Sequence, residues 1–318
     1  MQYAHSVKSA VKNGKAAGMQ AALPAGKAQL KKMLRGMNYE DGKKALSPQS
    51  GKDKKQDPVK NGEPKPIGDE IGYKEIKGEP FVAAHDDLRP VHYNDVFQGG
   101  LGDCYLLAAL SAVAKTDPAA IYDMIKTNND GTYTVRFFLD RMGMTILGKK
   151  TEEVTVSGAF PAGKDGMPVY ANSGLQGDKY TEDGKQKAEL WVMIVEKAWA
   201  KLNGSYKKIW GGDSGKAMEA ITGKESESFL TEKYGAEEIF TRIEQGIKKG
   251  HPVTASTYEG EETQEEKNIP ISRKHAYAVI GASGGKIELY NPHGKEHPRP
   301  LGADEFKKFF RRVNINEK

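Results

Sequence analysis

Residues 98–115 read QGGLGDCYLLAALSAVAK and hold the single cysteine of a 318-residue chain. From Cys104 onward the run is apolar and alanine-rich, the composition of a buried helix, and Asp103 stands where an N-cap would. Cys104 then falls in the first turn, where the positive end of the helix dipole favours a thiolate. Gly99, Gly100 and Gly102 leave room for a second backbone to approach. Gln98, six residues before the cysteine, can turn its side-chain N–H back beside the sulfur. An amide donor together with the Cys104 N–H has the make-up of an oxyanion hole. Read alone, the stretch fits a structural cysteine at a helix start equally well.

A nucleophilic thiol needs a base. Seven histidines are present, and His275 has the most informative neighbours: RKHAYAVIGASGGKIELYNPHG reads as a strand, a glycine turn and a second strand. A hairpin turning at Ser283-Gly284 puts His275 and Asn291 opposite one another to within one residue of register. An Asn amide oxygen that accepts from the imidazole would hold the tautomer a Cys–His pair requires. Taken alone, His275 reads as a half-buried strand residue; the three residues together point to nucleophilic catalysis.

Around these two stretches the pattern is mixed. Helices are expected over 104–115, over 117–126 with Pro118 in its first turn, over 190–204, 216–223 and 236–250. TYTVRFFLD (132–140) and EEVTVSG (152–158) suggest a hairpin or small sheet. PVTASTY, HAYAVIGA, KIELYN and FKKFFRRVNI suggest strands, with a short helix around 303–309. A helix-rich half thus precedes a strand-rich half, without an internal repeat.

A hydrophobic share of 37% against 29% charged residues is ordinary for a globular chain. No stretch approaches the ~18 apolar residues of a membrane span, and the N-terminus lacks the apolar core of a cleaved signal peptide. One cysteine excludes an internal disulfide and a Cys-pair zinc site. The net charge of +5 is uneven: residues 1–65 hold 14 Lys and Arg against 5 Asp and Glu, a local +9 that leaves −4 for the rest. No nucleic-acid motif accompanies the basic segment, so no nucleic-acid partner is expected. Residues 46–70 are rich in Lys, Pro, Gly and Asp and read as a linker, which makes 1–80 a largely disordered arm and starts the fold between Gly78 and Arg89.

Four blocks in order, QGGLGDCYLLAALSAVA, LWVMIVEKAWAKLNGSY followed by GGDSGKAMEAITG, KHAYAVIGA and YNPHG, resemble the calpain-like cysteine proteases, a branch of the papain-like fold whose cysteine pattern is Q-G-x-x-G-D-C-W-x-x-A-A. The resemblance spans roughly residues 85–313. It implies an α+β, two-lobe protease domain over 81–318, with a helical lobe (about 81–225) carrying Cys104 and a β-rich lobe (226–318) carrying His275 and Asn291. It implies a cysteine endopeptidase acting on protein or peptide substrates, with Gln98 in the oxyanion hole and Gly102, Asp103 and Lys274 along the substrate. Tyr105 replaces the family's tryptophan after the cysteine. His293 replaces the tryptophan of N-P-W-G, so the indole cover over the His–Asn contact is missing.

In calcium-dependent members, acids matching Asp95 and Glu196 bind one ion; a salt bridge or helix-face acid is an equal reading for both residues here. KEHPRPLGADEFKKFFRR lacks the oxygen cluster of a second calcium site, so calcium-independent activity without a cofactor is expected. Acyl transfer, deamidation and a cleft that only binds peptides are the rival readings. The acidic stretch 257–272 stands just before His275, where it could gate the cleft. GMNYEDGKKALSP (36–48) is similar to segments of bacterial secreted toxins and injection-system cargo. That similarity implies an effector exported without a cleaved signal, with a secretion or injection apparatus as partner of residues 1–80. A pro-segment lying in the cleft, or a plain tail on a cytoplasmic enzyme, are equal alternatives for the arm.

Overall fold

In the computed structural model the described residues are 62–68, 71–82, 90–141, 148–173 and 188–317. Residues 36–48, and with them most of the basic arm, lie outside these. The helical lobe is built on α1 (Cys104–Thr116) and α2 (Pro118–Met124). A three-stranded antiparallel sheet of β1 (Ile125–Thr127), β2 (Tyr133–Asp140) and β3 (Lys149–Val156) follows. Two further helices complete the lobe, α3 (Trp191–Leu202) and α4 (Ser214–Thr222). The second lobe holds β4 (Ser226–Leu230), α5 (Ala236–Lys248), β5 (Val253–Thr257), β6 (Ala276–Ser283), β7 (Lys286–Tyr290), β8 (Leu301–Gly302), α6 (Ala303–Phe309) and β9 (Phe310–Asn316). Its six strands form one antiparallel sheet in the order β4-β9-β5-β6-β7-β8. Among the described residues no single helix is long and apolar enough to cross a membrane.

Tyr105 to Ala114 are all buried, so α1 has no solvent face and needs cover on every side. Leu190, Trp191, Ile194, Val135, Phe137, Met218 and Ile221 share its core on one side, and Ala276, Ala278 and Tyr290 of the second lobe join the same cluster. A separate core fills the space between the six-stranded sheet and α5 and α6, around Ile239, Ile243, Tyr277, Phe306 and Val313. α1 is therefore wedged at the seam of the two lobes, and its N-terminus emerges there.

One expectation fails at the chain's start. Residues 62–68 and 71–80, read as the end of a disordered arm, are packed along the helical lobe. Gly72–Glu75 pairs antiparallel with Ala159–Ala162, the Ile67 N–H donates to the Tyr170 hydroxyl (2.6 Å), and the Tyr73 hydroxyl donates to the Pro64 carbonyl (2.6 Å). The reason lies in α3. Lys197 is wholly buried, and Glu63 Oε1 sits 3.0 Å from its Nζ. The ammonium also donates to the Ser157 carbonyl (2.9 Å) and hydroxyl (2.9 Å) and to the Ala159 carbonyl (2.5 Å). A buried ammonium requires a counter-charge, and residue 63 supplies it from a segment whose composition gives no hint of order. None of these residues lines the cleft described below, which removes residues 62–68 and 71–80 from a cleft-filling pro-segment.

Glu63→Ala should lower stability by about 3–5 kcal/mol in urea unfolding, the usual cost of stranding one member of a buried pair. The double variant Glu63→Ala/Lys197→Met should regain most of the loss. An unchanged midpoint for the single variant would mean that the pair does not latch the segment.

Candidate active site

The loop before α1 crosses from one lobe to the other. The Gln98 backbone N–H donates to the Pro292 carbonyl (2.7 Å), and the Tyr290 hydroxyl donates to the Val96 carbonyl (2.9 Å). Phe97 lies so close to Gly294 that a Cβ there would be 2.0 Å from its ring, which excludes any other residue. Just beyond these stitches a cleft of about 680 Å³ opens between the lobes, lined among others by Gln98, Gly102, Cys104, Trp210, Lys274 and His275.

His275 and Asn291 meet as the hairpin reading requires, although not opposite each other. The turn is centred on Gly284 and Gly285, whose φ values of 57° and 73° suit a tight hairpin. A bulge leaves Ile280 unpaired between Val279↔Leu289 and Gly281↔Glu288. Ala278 therefore faces Tyr290, which puts Asn291 level with Tyr277 and makes His275 its diagonal neighbour on the same face. The ring Nε2 lies 2.9 Å from Asn291 Oδ1. That oxygen only accepts, so Nε2 carries the proton and Nδ1 is the free base. Asn291 is itself oriented: Oδ1 also accepts the His293 N–H (3.1 Å), Nδ2 donates to the Glu296 carbonyl (3.4 Å), and its backbone N–H donates to His297 Nδ1 (3.1 Å). The His275 backbone N–H donates to the Thr257 hydroxyl (3.0 Å), and its carbonyl accepts the Thr257 N–H (3.0 Å). Lys274, exposed at the cleft, has a φ of 51°, a left-handed conformation that a non-glycine residue holds at a cost of about 1–2 kcal/mol. The chain turns there immediately before the histidine.

The missing indole has a substitute that the sequence did not reveal. The His293 ring is stacked on His275, with centroids 4.9 Å apart and planes 6° from parallel. Tyr105, in place of tryptophan, has an equally defined role. Its hydroxyl accepts the Trp199 indole N–H (2.9 Å), and its ring backs Gly212, where a Cβ would come within 2.4 Å.

Burial opposes the thiolate that the helix start favours. Burial pushes Cys104 up to about 11; the N–H of Ala276, the residue after His275, pulls it down, as do those of Tyr105 and Cys104 itself, while Asp103 adds to the rise. Burial likewise pushes His275 down to about 4, against the Asn291 hydrogen bond. Burial thus favours the neutral form of each group. Gln98 lines the cleft and donates one amide hydrogen to the Leu101 carbonyl (2.6 Å); an amide NH₂ carries a second.

Two expected roles are corrected. Asp103 neither caps α1 with its side chain nor lines the cleft: its carbonyl accepts the Leu106 N–H (2.8 Å), while its carboxyl is fully buried. It lies against Glu196, and burial pushes both acids well above the usual carboxylate range. Nor are Asp95 and Glu196 a pair. Glu196 accepts the Ala171 N–H (2.9 Å), whereas Asp95 accepts the His92 N–H (2.5 Å) and the Trp191 indole N–H (3.4 Å). The acid beside Asp95 is Glu189, pushed up to about 9 by burial and then by Asp95. A further cluster, Asp140, Glu219 and Glu225, holds the Lys149 ammonium at 2.9, 3.0 and 3.2 Å, which supplies the positive charge a metal would. The acidic stretch before His275 is anchored: Glu266 is buried, caps the short helix Gln264–Asn268 together with Thr263, and receives Arg273 Nε at 2.9 and 3.0 Å.

The family model for calpain family cysteine proteases matches residues 75–301. Calpain-9 of Mus musculus is 28% identical over 203 residues, covering 63% of this chain and 26% of its own length. Calpain-8 of Rattus norvegicus is 30% identical over 212 residues, 63% of this chain and 26% of that protein. The calpain-type cysteine protease DEK1 of Zea mays is 28% identical over 219 residues, 65% of this chain and 9% of that one. The chain thus spans about a quarter or less of the length of these relatives.

Two outcomes follow from the titrations. Alkylation of Cys104 by iodoacetamide should be slow at neutral pH and accelerate toward about pH 11; a plateau already reached at neutrality would mean a preformed thiolate. For Asp103 and Glu196, raised pKa values contribute stability that is present below the unfolded carboxylate range, about pH 4, and is lost as pH rises through the folded values. The urea midpoint should therefore fall from about pH 4 toward neutrality. Glu196→Gln, whose amide oxygen still accepts from Ala171, should flatten that fall; an unchanged slope would assign it to other groups.

Proposed function

The chain belongs to the calpain family of cysteine proteases, and from that premise we propose that it is a cysteine endopeptidase that hydrolyses protein peptide bonds through Cys104, His275 and Asn291. The observation that carries the reading is the buried 2.9 Å contact between His275 Nε2 and Asn291 Oδ1, with Cys104 at the head of a helix on the same cleft. A neutral imidazole with its free nitrogen at Nδ1 is the acceptor a neutral thiol needs. As the sulfur attacks the substrate carbonyl, His275 takes the thiol proton, so ionisation occurs during the attack and not before it. The Cys104 N–H and the second Gln98 amide hydrogen face the developing oxyanion. His275 then returns the proton to the leaving amine, and the thioester that remains is hydrolysed by water activated at the same nitrogen. Asn291 holds the ring and accepts the hydrogen bond of the transient imidazolium.

We read the activity as calcium-independent. Supporting this, Glu196 is committed to Asp103 and the Ala171 N–H, and Asp95 to the His92 and Trp191 N–H groups. The similarity of residues 36–48 to exported toxin segments supports a further part of the proposal, in which the basic N-terminal segment addresses the enzyme to an export apparatus.

Wild type and Cys104→Ala should be compared on an unfolded protein substrate, with added calcium and with chelator, while intact mass is followed. Wild type should cleave and the variant should not, chelator should make no difference, and Gln98→Ala should lose about 100-fold or more. New N-termini identify hydrolysis, whereas released ammonia or crosslinked product would indicate acyl transfer or deamidation. Cleavage by Cys104→Ala would overturn the assignment. Sensitivity to chelator would overturn calcium independence and single out Asp95 and Glu189 for replacement.

A further inference from the structure

Trp210 is 60% exposed, and among the described residues Met167 is the only other large apolar side chain so open to water. Its position is nonetheless fixed. A Cβ on Gly102 would lie 2.8 Å from Trp210 Cε2 and 2.9 Å from Nε1, so the indole rests directly on the backbone two residues before the nucleophile. The Gly211 N–H donates to the Gly102 carbonyl (2.8 Å), Ile209 before the tryptophan is buried, and Gly212 after it is backed by Tyr105. The side chain also lines the cleft that holds Cys104 and His275. A rigid ring with one side on backbone and the other open to the cleft is a preorganised contact surface, because its rotamer entropy is already lost before a ligand arrives.

We propose that Trp210 is a specificity-determining residue, a platform that receives an aromatic or large aliphatic side chain of the substrate next to the scissile bond. The proposal rests on the peptidase reading above. An apolar side chain laid on the indole removes exposed surface of both partners from water. A cationic side chain could also stack on an indole, but the surroundings oppose it. Lys207 and Lys208 are exposed three and two residues before the tryptophan, and Lys274 and Arg311 are exposed at the cleft. Two acids also line the cleft: Asp213 is held by Arg312 Nη1 at 2.8 Å, and Glu259 is outnumbered by Lys274, Arg311 and Arg312. Local charge therefore selects against a basic residue, and the ring selects for an apolar one.

The test is a peptide set in which the residues flanking one scissile bond are varied among Phe, Leu, Ala, Ser and Lys. Wild type should prefer Phe and Leu. Trp210→Ala should lower kcat/KM for those two by about 10-fold or more while leaving the Ala and Ser peptides unchanged, and Trp210→Phe should keep most of the preference. An equal loss across all peptides, or no change, would overturn the platform. A wild-type preference for Lys would overturn the choice of an apolar occupant. Binding of the same peptides to Cys104→Ala, measured by calorimetry, separates the two layers. Should no peptide be cleaved, the peptidase reading fails; the platform then stands only if Phe and Leu peptides bind more tightly than Ala peptides and Trp210→Ala abolishes the difference.

Discussion

A helix with no wet face must be enclosed, and the enclosure of α1 organises the molecule. The run CYLLAALSAVAK offers apolar side chains all around its circumference, so a single layer of packing leaves part of it in water. α3, α4 and the small sheet cover one side, and Ala276, Ala278 and Tyr290 cover another. Two lobes are thus the consequence of one sequence stretch, and the seam between them falls where that helix begins. Cys104 stands at the seam for this reason. The strand that closes the seam, β6, begins one residue after His275, so burial of the helix also delivers the base. Gln98 and Pro292, joined at 2.7 Å, fix the registry of the two loops that carry the remaining parts.

The helical lobe contains more charge than its apolar core suggests. Glu196 and Lys197 are adjacent on α3 and both buried. Neighbours on a helix point about 100° apart, so the two need different partners. Lys197 draws Glu63 in from the N-terminal segment, and Glu196 meets Asp103 from the first helix. α3 thereby binds the start of the fold and the head of α1 through opposite chemistries: an ion pair on one side, and on the other two acids whose pKa values burial raises. Breaking the first strands a cation, while the second weakens whenever pH drives ionisation.

Most elements were legible because they obey local rules. α1, α3 and α5 show their apolar faces and terminators in the sequence, and β6 and β7 are separated by a glycine pair. The three site residues were legible because chemistry limits which types can serve. What escaped depends on distant contacts or on single-residue geometry. The ordered residues 62–68 and 71–80 continue from a stretch of linker composition, and a buried lysine more than a hundred residues away from Glu63 accounts for their docking. β4, SESFL, is a strand because β9 offers an edge to it, while its own apolar content is slight. The bulge at Ile280 moves the register without leaving a mark in the sequence. Asp103 looks like a cap in one dimension, and only the interior position of Glu196 turns it inward. Glu189, two residues before α3, stands beside Asp95 without a motif to mark it, whereas Glu196 on the helix matches the family pattern.

His293 shows how a departure from a family pattern can still place a ring over the His275–Asn291 contact. The stacked imidazole covers His275 with a ring of similar thickness, and it brings a titratable group that an indole lacks. Burial lowers the His293 pKa below the ordinary histidine value, the Gln98 loop pulling it back and Lys295 lowering it further. A neutral His293 shields the His275–Asn291 contact as an aromatic plate. Once protonated, it opposes formation of an imidazolium 4.9 Å away by like-charge repulsion. In the proposed mechanism the base becomes cationic during every turnover, whichever step is slow. The covering residue therefore couples the acidity of the medium to the charge that the reaction creates, and it does so from a position that never touches the sulfur.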